Sequence, residues 1–201
     1  MNLLHCIALV ILEIILTEGR KRHSRAHKQL EYSDCGDGPN KAVFINHAIA
    51  DPLPIVSPGK LRVSAGVNIT RALPYSMYLD LTVTKYFLGL PFLLPCINGI
   101  VGTCEYRNMC SYLEIFKGGN CPRVLQDQGL PCTCPVQPGT YKVKDVNLKI
   151  PKLEGISSLL AQGEYEITAK LMDDVTRGEL GCIKIKFTMK RRKKKSGWFF
   201  K

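Results

Sequence analysis

The cysteines constrain this chain more than any other feature. Nine are present, and six of them crowd between Cys96 and Cys134, a stretch interrupted at many points by Gly, Asn and Pro. A segment so dense in cysteines and turn residues reads as a stapled, irregular region beside a more regular scaffold. How many cysteines remain to pair depends on the first residues. Leu3 to Leu16 (LLHCIALVILEIIL) is apolar apart from His5 and Glu13, and the small residue Gly19 follows shortly after. The run falls short of the roughly 20 residues that span a bilayer as a helix and has the length of a signal h-region. Residues 1–19 are therefore expected to be a signal peptide cleaved near Gly19, the alternatives being a buried helix or an uncleaved anchor. Cys6 leaves with it, and Cys35, Cys96, Cys104, Cys110, Cys121, Cys132, Cys134 and Cys182 remain. An even count in a secreted chain implies four disulfides, and spacing alone leaves about a hundred pairings open. A metal site is disfavoured, because Cys132-Thr133-Cys134 is not a Cys-x-x-Cys pair and the one histidine of the body, His47, lies far from the cluster.

The charges divide the chain into a body and two flanks. Lys plus Arg number 28 against 17 Asp plus Glu. Residues 20–28 (RKRHSRAHK) hold five positive charges and residues 190–201 (KRRKKKSGWFFK) seven, with no acid in either. Between Gln29 and Met189 there are 16 basic and 15 acidic residues, so the body is close to neutral. This disfavours a basic groove for nucleic acid. Residues 20–33 read as a basic N-terminal flank, 34–189 as one domain, and 190–201 as a polybasic, aromatic tail.

Within the body, apolar and polar residues alternate with the period of two that a half-buried strand requires. Tyr78 to Lys85 sets Leu79, Leu81 and Val83 against Asp80, Thr82 and Thr84. Tyr141 to Ile150 alternates too, and the step from Asp145 to Val146 breaks phase as a bulge would. Glu164 to Leu171 and Cys182 to Met189 alternate cleanly, and the Asp- and Gly-containing link between them predicts an antiparallel hairpin. Weaker strands are expected at Ala42 to His47 and Leu61 to Val67. One short helix is expected over Asn108 to Phe116, stopped by Gly118-Gly119. With no strand-helix alternation, the fold class is all-β, an antiparallel sandwich or cup.

Two segments look out of place on such a body. Phe87 to Pro95 (FLGLPFLLP) has no charge and contains Gly89, Pro91 and Pro95, so it is expected to be an apolar loop. Gly155 to Gly163 is a second loop, carrying Ile156, Leu159 and Leu160. Phe87, Leu88, Leu90, Phe92 and Leu93, with Ile156, Leu159 and Leu160, would form the rim of a lipid-binding cavity, since contiguous exposed apolar surface marks ligand or membrane sites. The plain alternative is a loop tucked against the core.

Specific stretches then point to a family. Asp34-Cys35-Gly36, ADPLPIVSPG at Ala50 to Gly59, LPC at Leu94 to Cys96, GTCEY at Gly102 to Tyr106, Cys121-Pro122, GLPCTCP at Gly129 to Pro135, PGTY at Pro138 to Tyr141, GEYEI at Gly163 to Ile167 and GCIKI at Gly181 to Ile185 resemble the sphingolipid-activator branch of the MD-two-related lipid-recognition family over about residues 34–189. The resemblance implies the pairing Cys35 with Cys182, Cys96 with Cys104, Cys110 with Cys134 and Cys121 with Cys132. It implies a β-cup with an apolar interior, no cofactor, and no catalysis by the chain itself. It also implies a ganglioside or related glycosphingolipid as ligand, lifted from a membrane and presented to a lysosomal β-hexosaminidase, so that the expected location is the lysosome lumen or the secreted space. The alternative within the same fold is a secreted lipid carrier or innate-immune lipid-recognition module. The family's best-known activator carries a tryptophan in each apolar loop, whereas the matching stretches here read Leu90-Pro91-Phe92 and Ser157-Ser158-Leu159.

Three features remain. Asn68-Ile69-Thr70 is a glycosylation sequon, or an unused one. Lys190, Arg191, Arg192, Lys193, Lys194 and Lys195 precede Trp198, the chain's one tryptophan, and this combination suits an anionic membrane surface better than nucleic acid, which a secreted chain does not meet. Enzymatic activity is disfavoured because His47 has no partner nucleophile and no acidic pair stands out.

Overall fold

The structure, a computed structural model, describes residues 30–99, 101–114, 116, 121–152 and 162–192. Within these residues the chain forms β1 (Glu31–Asp34), β2 (Val43–Asp51), β3 (Ile55–Ser57), β4 (Gly59–Ile69), β5 (Met77–Phe87), β6 (Leu90–Leu93), β7 (Cys104–Tyr106), α1 (Met109–Glu114), α2 (Arg123–Gln126), β8 (Gly139–Ile150), β9 (Gly163–Asp173) and β10 (Glu179–Arg191). The alternating stretches became the long strands, which makes the molecule all-β. A larger sheet runs β1-β10-β9-β5-β6, with β3 also on β10 and β7 also on β5, and a smaller sheet runs β2-β4-β8. Nearly every pairing is antiparallel; β3 against β10 is parallel.

Local chemistry explains several details. Asp145 adopts φ +53° and its N–H bonds Ser64 Oγ at 2.9 Å, so the phase break in β8 is a bulge opposite Ser64. β9 and β10 form the expected hairpin, paired from Met172–Glu179 to Gly163–Met189. Asp173 Oδ1 accepts the N–H groups of Val175 and Thr176 and so shapes the turn. Burial opposes its charge, but those hydrogen bonds outweigh the penalty and hold the carboxyl below its ordinary value. β3 lies between two strands of the small sheet in sequence yet bonds the large one, and so ties the sheets together at one margin.

The structure departs from expectation in four places. Phe87 to Pro95 is not a loop: Phe87 ends β5, Leu88-Gly89 turns, and Leu90–Leu93 returns as β6, pairing Phe87 with Leu90 and Lys85 with Phe92. Pro91 is tolerated because β6 is an edge strand. The expected helix is limited to Met109–Glu114, because Asn108 takes φ +54° and stays outside it. The short α2, β1, β3 and β7 carried too few residues for a period to show. Finally, β10 continues to Arg191, two residues into the basic run, where Lys190 and Arg191 pair Val56 and Ser57.

The tightest packing sits at one end. Ala42, Ile69, Leu73, Met77, Cys110, Val136 and Leu180 form a buried cluster between the sheets, with Val67, Tyr141 and Leu171 against it. The Ala42 N–H bonds Leu180 O at 2.8 Å and the Leu73 N–H bonds Val136 O at 2.9 Å, so loops close that end as well as side chains.

Candidate functional site

Away from this tight cluster the apolar lining continues, less completely buried. Strand register sets four cross-strand rows on the face of the large sheet that continues Met77 and Leu171: Leu79, Leu171, Gly181; Leu81, Ala169, Ile183; Val83, Ile167, Ile185; and Lys85, Tyr165, Phe187. This face looks toward the small sheet, since Met77 and Leu171 pack with its Ile69 and Val67. While Val83 and Tyr165 in the two outer rows are buried, Ile167, Ala169, Ile183, Ile185 and Phe187 are only partly buried although they lie on central strands. A filled sandwich would bury them; a cup leaves them lining a space. Tyr165 and Phe187 stack with ring centroids 5.6 Å apart, and burial pushes the Tyr165 phenol up to about 12.

The opposite face is charged. Glu166 lies 3.1 Å from Lys186 and 3.6 Å from Lys184, and Lys170 lies 3.2 Å from Glu179. Burial works against the Glu166 charge, but its two lysines outweigh it and lower the carboxyl from its ordinary value. The alternation seen in the sequence thus separates an apolar interior from a wet exterior.

Beyond the outermost row stands the β5–β6 hairpin. Phe87, Leu88, Leu90, Phe92 and Leu93 are each between 50% and 71% exposed, a contiguous apolar tongue with Phe87 edge-on to Phe92 at 6.5 Å. The next loop adds exposed Ile97 and Val101, whose backbones bond each other within the ring closed by Cys96–Cys104. Gly102 is required there: its φ is +108° and a Cβ would stand 2.0 Å from Pro95 O. Sequence reading did not single out Ile97 or Val101, which sit isolated among turn residues. It also passed over Lys85, although Lys85 continues the apolar phase of Leu79, Leu81 and Val83.

Disulfides hold this scaffold. They join Cys35 to Cys182, Cys96 to Cys104, Cys110 to Cys134 and Cys121 to Cys132. The first ties the β1 end to β10, and the third enters the buried cluster through Cys110. Other sequence candidates fall elsewhere. Ile156, Leu159, Leu160, Lys193, Lys194, Lys195, Trp198 and the signal segment lie outside the described residues. Lys190, Arg191 and Arg192 are exposed, and the Arg192 N–H bonds Ser57 O at 3.0 Å. Asn68 lies within β4 and its Oδ1 accepts the Thr140 hydroxyl at 3.3 Å. His47 packs its ring over Gly66 at the β2 bulge.

Residues 29–189 match the family described as the ML domain. The chain belongs to that family. Relatives include the mouse (Mus musculus) ganglioside GM2 activator, 36% identical over 80% of this chain and 82% of its own length. The macaque (Macaca fascicularis) ganglioside GM2 activator is 30% identical over 94% of this chain and 98% of its own. Among solved structures, a Niemann-Pick type C2 protein from the Japanese carpenter ant aligns over 80% of this chain and 99% of its own at 15% identity and a TM-score of 0.42. Chicken MD-1 complexed with lipid IVa aligns over 82% and 93% at 12% identity and a TM-score of 0.37. The described strands of this ML domain form the β-cup, with its apolar face inward.

Proposed function

We propose that this ML domain protein is a non-enzymatic lipid-binding and transfer protein that extracts a ganglioside from a membrane and presents it to a lysosomal β-hexosaminidase. The observation that carries the reading is the exposed apolar hairpin standing directly beyond a half-open apolar interior. Such a tongue can enter the acyl boundary of a bilayer, and the rows behind it offer the chains an apolar path. The physical need is clear, because each methylene moved from hydrocarbon into water costs about 0.8 kcal/mol, so a soluble hydrolase cannot draw a ceramide out by itself. The names of the mouse and macaque relatives support the ganglioside as ligand. Four disulfides support a secretory route to the lysosome lumen or the secreted space. The basic tail would add attraction to anionic lipid, about 1 kcal/mol for each Lys or Arg near the surface.

The test is hydrolysis of membrane-embedded ganglioside by purified β-hexosaminidase at acidic pH, with and without this protein, alongside mass spectrometry of the lipid it carries. Stimulated turnover together with bound glycolipid is the expected result. Bound lipid without stimulation would make it a carrier or receptor module of the same fold, and the absence of any bound lipid would overturn the reading.

A further inference from the structure

The outer face of the small sheet holds an arrangement that lipid binding does not call for. Strand register sets Phe44 of β2 and Thr140 of β8 directly opposite Asn68 of β4, one on each side. The next row along, Val43 and Ile69, and the row before it, Val67 and Tyr141, pack into the cluster between the sheets. By alternation Phe44, Asn68 and Thr140 therefore point the other way, out of the molecule. Asn68 opens the chain's one Asn-x-Ser/Thr tripeptide, Asn68-Ile69-Thr70. The Thr140 hydroxyl donates to its Oδ1 at 3.3 Å, which turns Nδ2 away from β8. On the other side stands the Phe44 ring, 38% exposed on this outer face, with Lys41 Nζ 4.6 Å from its centre.

A place within a strand is no obstacle to modification on a chain that has yet to fold; what the fold must supply afterwards is room, and the outer face supplies it. Residues directly opposite on antiparallel strands have Cβ atoms about 4.5–5.5 Å apart, so a sugar joined to Asn68 begins beside the Phe44 ring. The C–H groups on one face of a pyranose suit an aromatic face, which would shield the ring from water. The position also suits a molecule with a membrane-facing hairpin, because Ile69 and Ala42 next to the site belong to the tightly packed end, away from β5–β6. We propose that Asn68 carries an N-linked oligosaccharide whose first N-acetylglucosamine packs on Phe44. The bond formed joins Asn68 Nδ2 to C1 of that sugar; the bond broken is from C1 to the diphosphate of a polyprenyl-linked oligosaccharide donor, the diphosphate leaves with its lipid, and Nδ2 loses one proton. This goes beyond the lipid-binding reading and needs only the secretory route that four disulfides support.

The experiment expresses the full chain in mammalian cells and collects the secreted protein, with Asn68→Gln, Thr70→Ser and Phe44→Ala variants. Intact mass is measured before and after enzymatic removal of N-linked sugar. Wild-type protein is expected to exceed the mass of its chain by one oligosaccharide that the enzyme removes. Asn68→Gln is expected to lack it. Thr70→Ser is expected to keep it, since serine preserves both the tripeptide and a hydroxyl that can bond Ala42 O. Thermal melts then test the Phe44 contact on three forms: the whole glycan, the first sugar alone after endoglycosidase trimming, and no sugar. Trimming to one sugar is expected to leave the melting temperature unchanged, and removing that sugar to lower it by about 2 °C, the size of one cross-strand aromatic contact in a domain of this length. In Phe44→Ala the last step is expected to cost nothing; the conversion of Asn68 to Asp that accompanies removal is common to both backgrounds and cancels. Wild-type protein without added mass, or with the same added mass in Asn68→Gln, would overturn the site. An equal fall on sugar removal in wild type and Phe44→Ala would overturn the packing on Phe44.

Discussion

Asp34 is a small residue with a large task. Its carboxylate accepts the N–H groups of Gly36 and Ile45 and the Lys41 ammonium at 2.7 Å, so it binds β1 to the start of β2 beside the Cys35 bridge. Burial raises its pKa, yet those donors outweigh burial and hold the carboxyl below its ordinary value. A carboxyl depressed in the folded state contributes stability that is present above the unfolded pKa and lost as pH falls through the folded one. Asp34→Asn should therefore lower stability by about 1–3 kcal/mol at neutral and mildly acidic pH. In urea titrations its gap from wild type should close only below the usual carboxylate range; a gap closing near neutrality would contradict this. Gly66 is a second such residue, because a Cβ there would stand 2.4 Å from His47 Cε1. Gly66→Ala should destabilise by about 1–3 kcal/mol through overpacking, and thermal melts should show Gly66→Ala recovering when His47→Ala is added. Asp34 stood in a family stretch and Gly66 in none, but neither role was legible in the sequence, since each depends on a neighbour from another strand.

Elements were legible where they were long. The alternations at Tyr78 to Lys85, Glu164 to Leu171 and Cys182 to Met189 each fix which face turns inward, and the strands β5, β9 and β10 follow them. Phe87 to Pro95 was not legible, because two prolines and a glycine argue against a strand when the partner is unknown; β6 can keep Pro91 only because one of its edges is unpaired. The hairpin yields a direct prediction. Leu90→Asp with Leu93→Asp should leave the melting temperature nearly unchanged, as for exposed positions generally, and cut vesicle binding about tenfold or more. Sedimentation with vesicles checks this, and undiminished binding would show that the hairpin is not the contact. The tail needs its own comparison. Because β10 runs to Arg191 and Arg192 bonds Ser57, the informative truncation ends at Arg192 rather than at Met189. Anionic vesicles should retain the full chain better than the truncated one, and equal retention at physiological salt would remove the docking role.

At the scale of the whole molecule, an open interior has to be held up by something other than its own packing, and here the bridges do this. Cys35–Cys182 closes a separation of 147 residues and Cys96–Cys104 one of 8. Replacing the first pair by Ala should lower stability by about 2–5 kcal/mol and the second by less, since longer loops constrain the unfolded chain more. Equal losses in chemical unfolding would count against that account. The sequence by itself determined the all-β class, the eight cysteines of the body, the near-neutral body between basic ends and the family, because periodicity, counts and motif spacing are properties of the chain in one dimension. Only the tertiary structure decided that Phe87 to Leu93 is a hairpin, that the closed end and the open end of the cup lie where they do, and that Lys85 stands in the outermost row beside Tyr165. Those facts depend on which strands become neighbours and on the register between them, and register is set by packing between residues far apart in the chain.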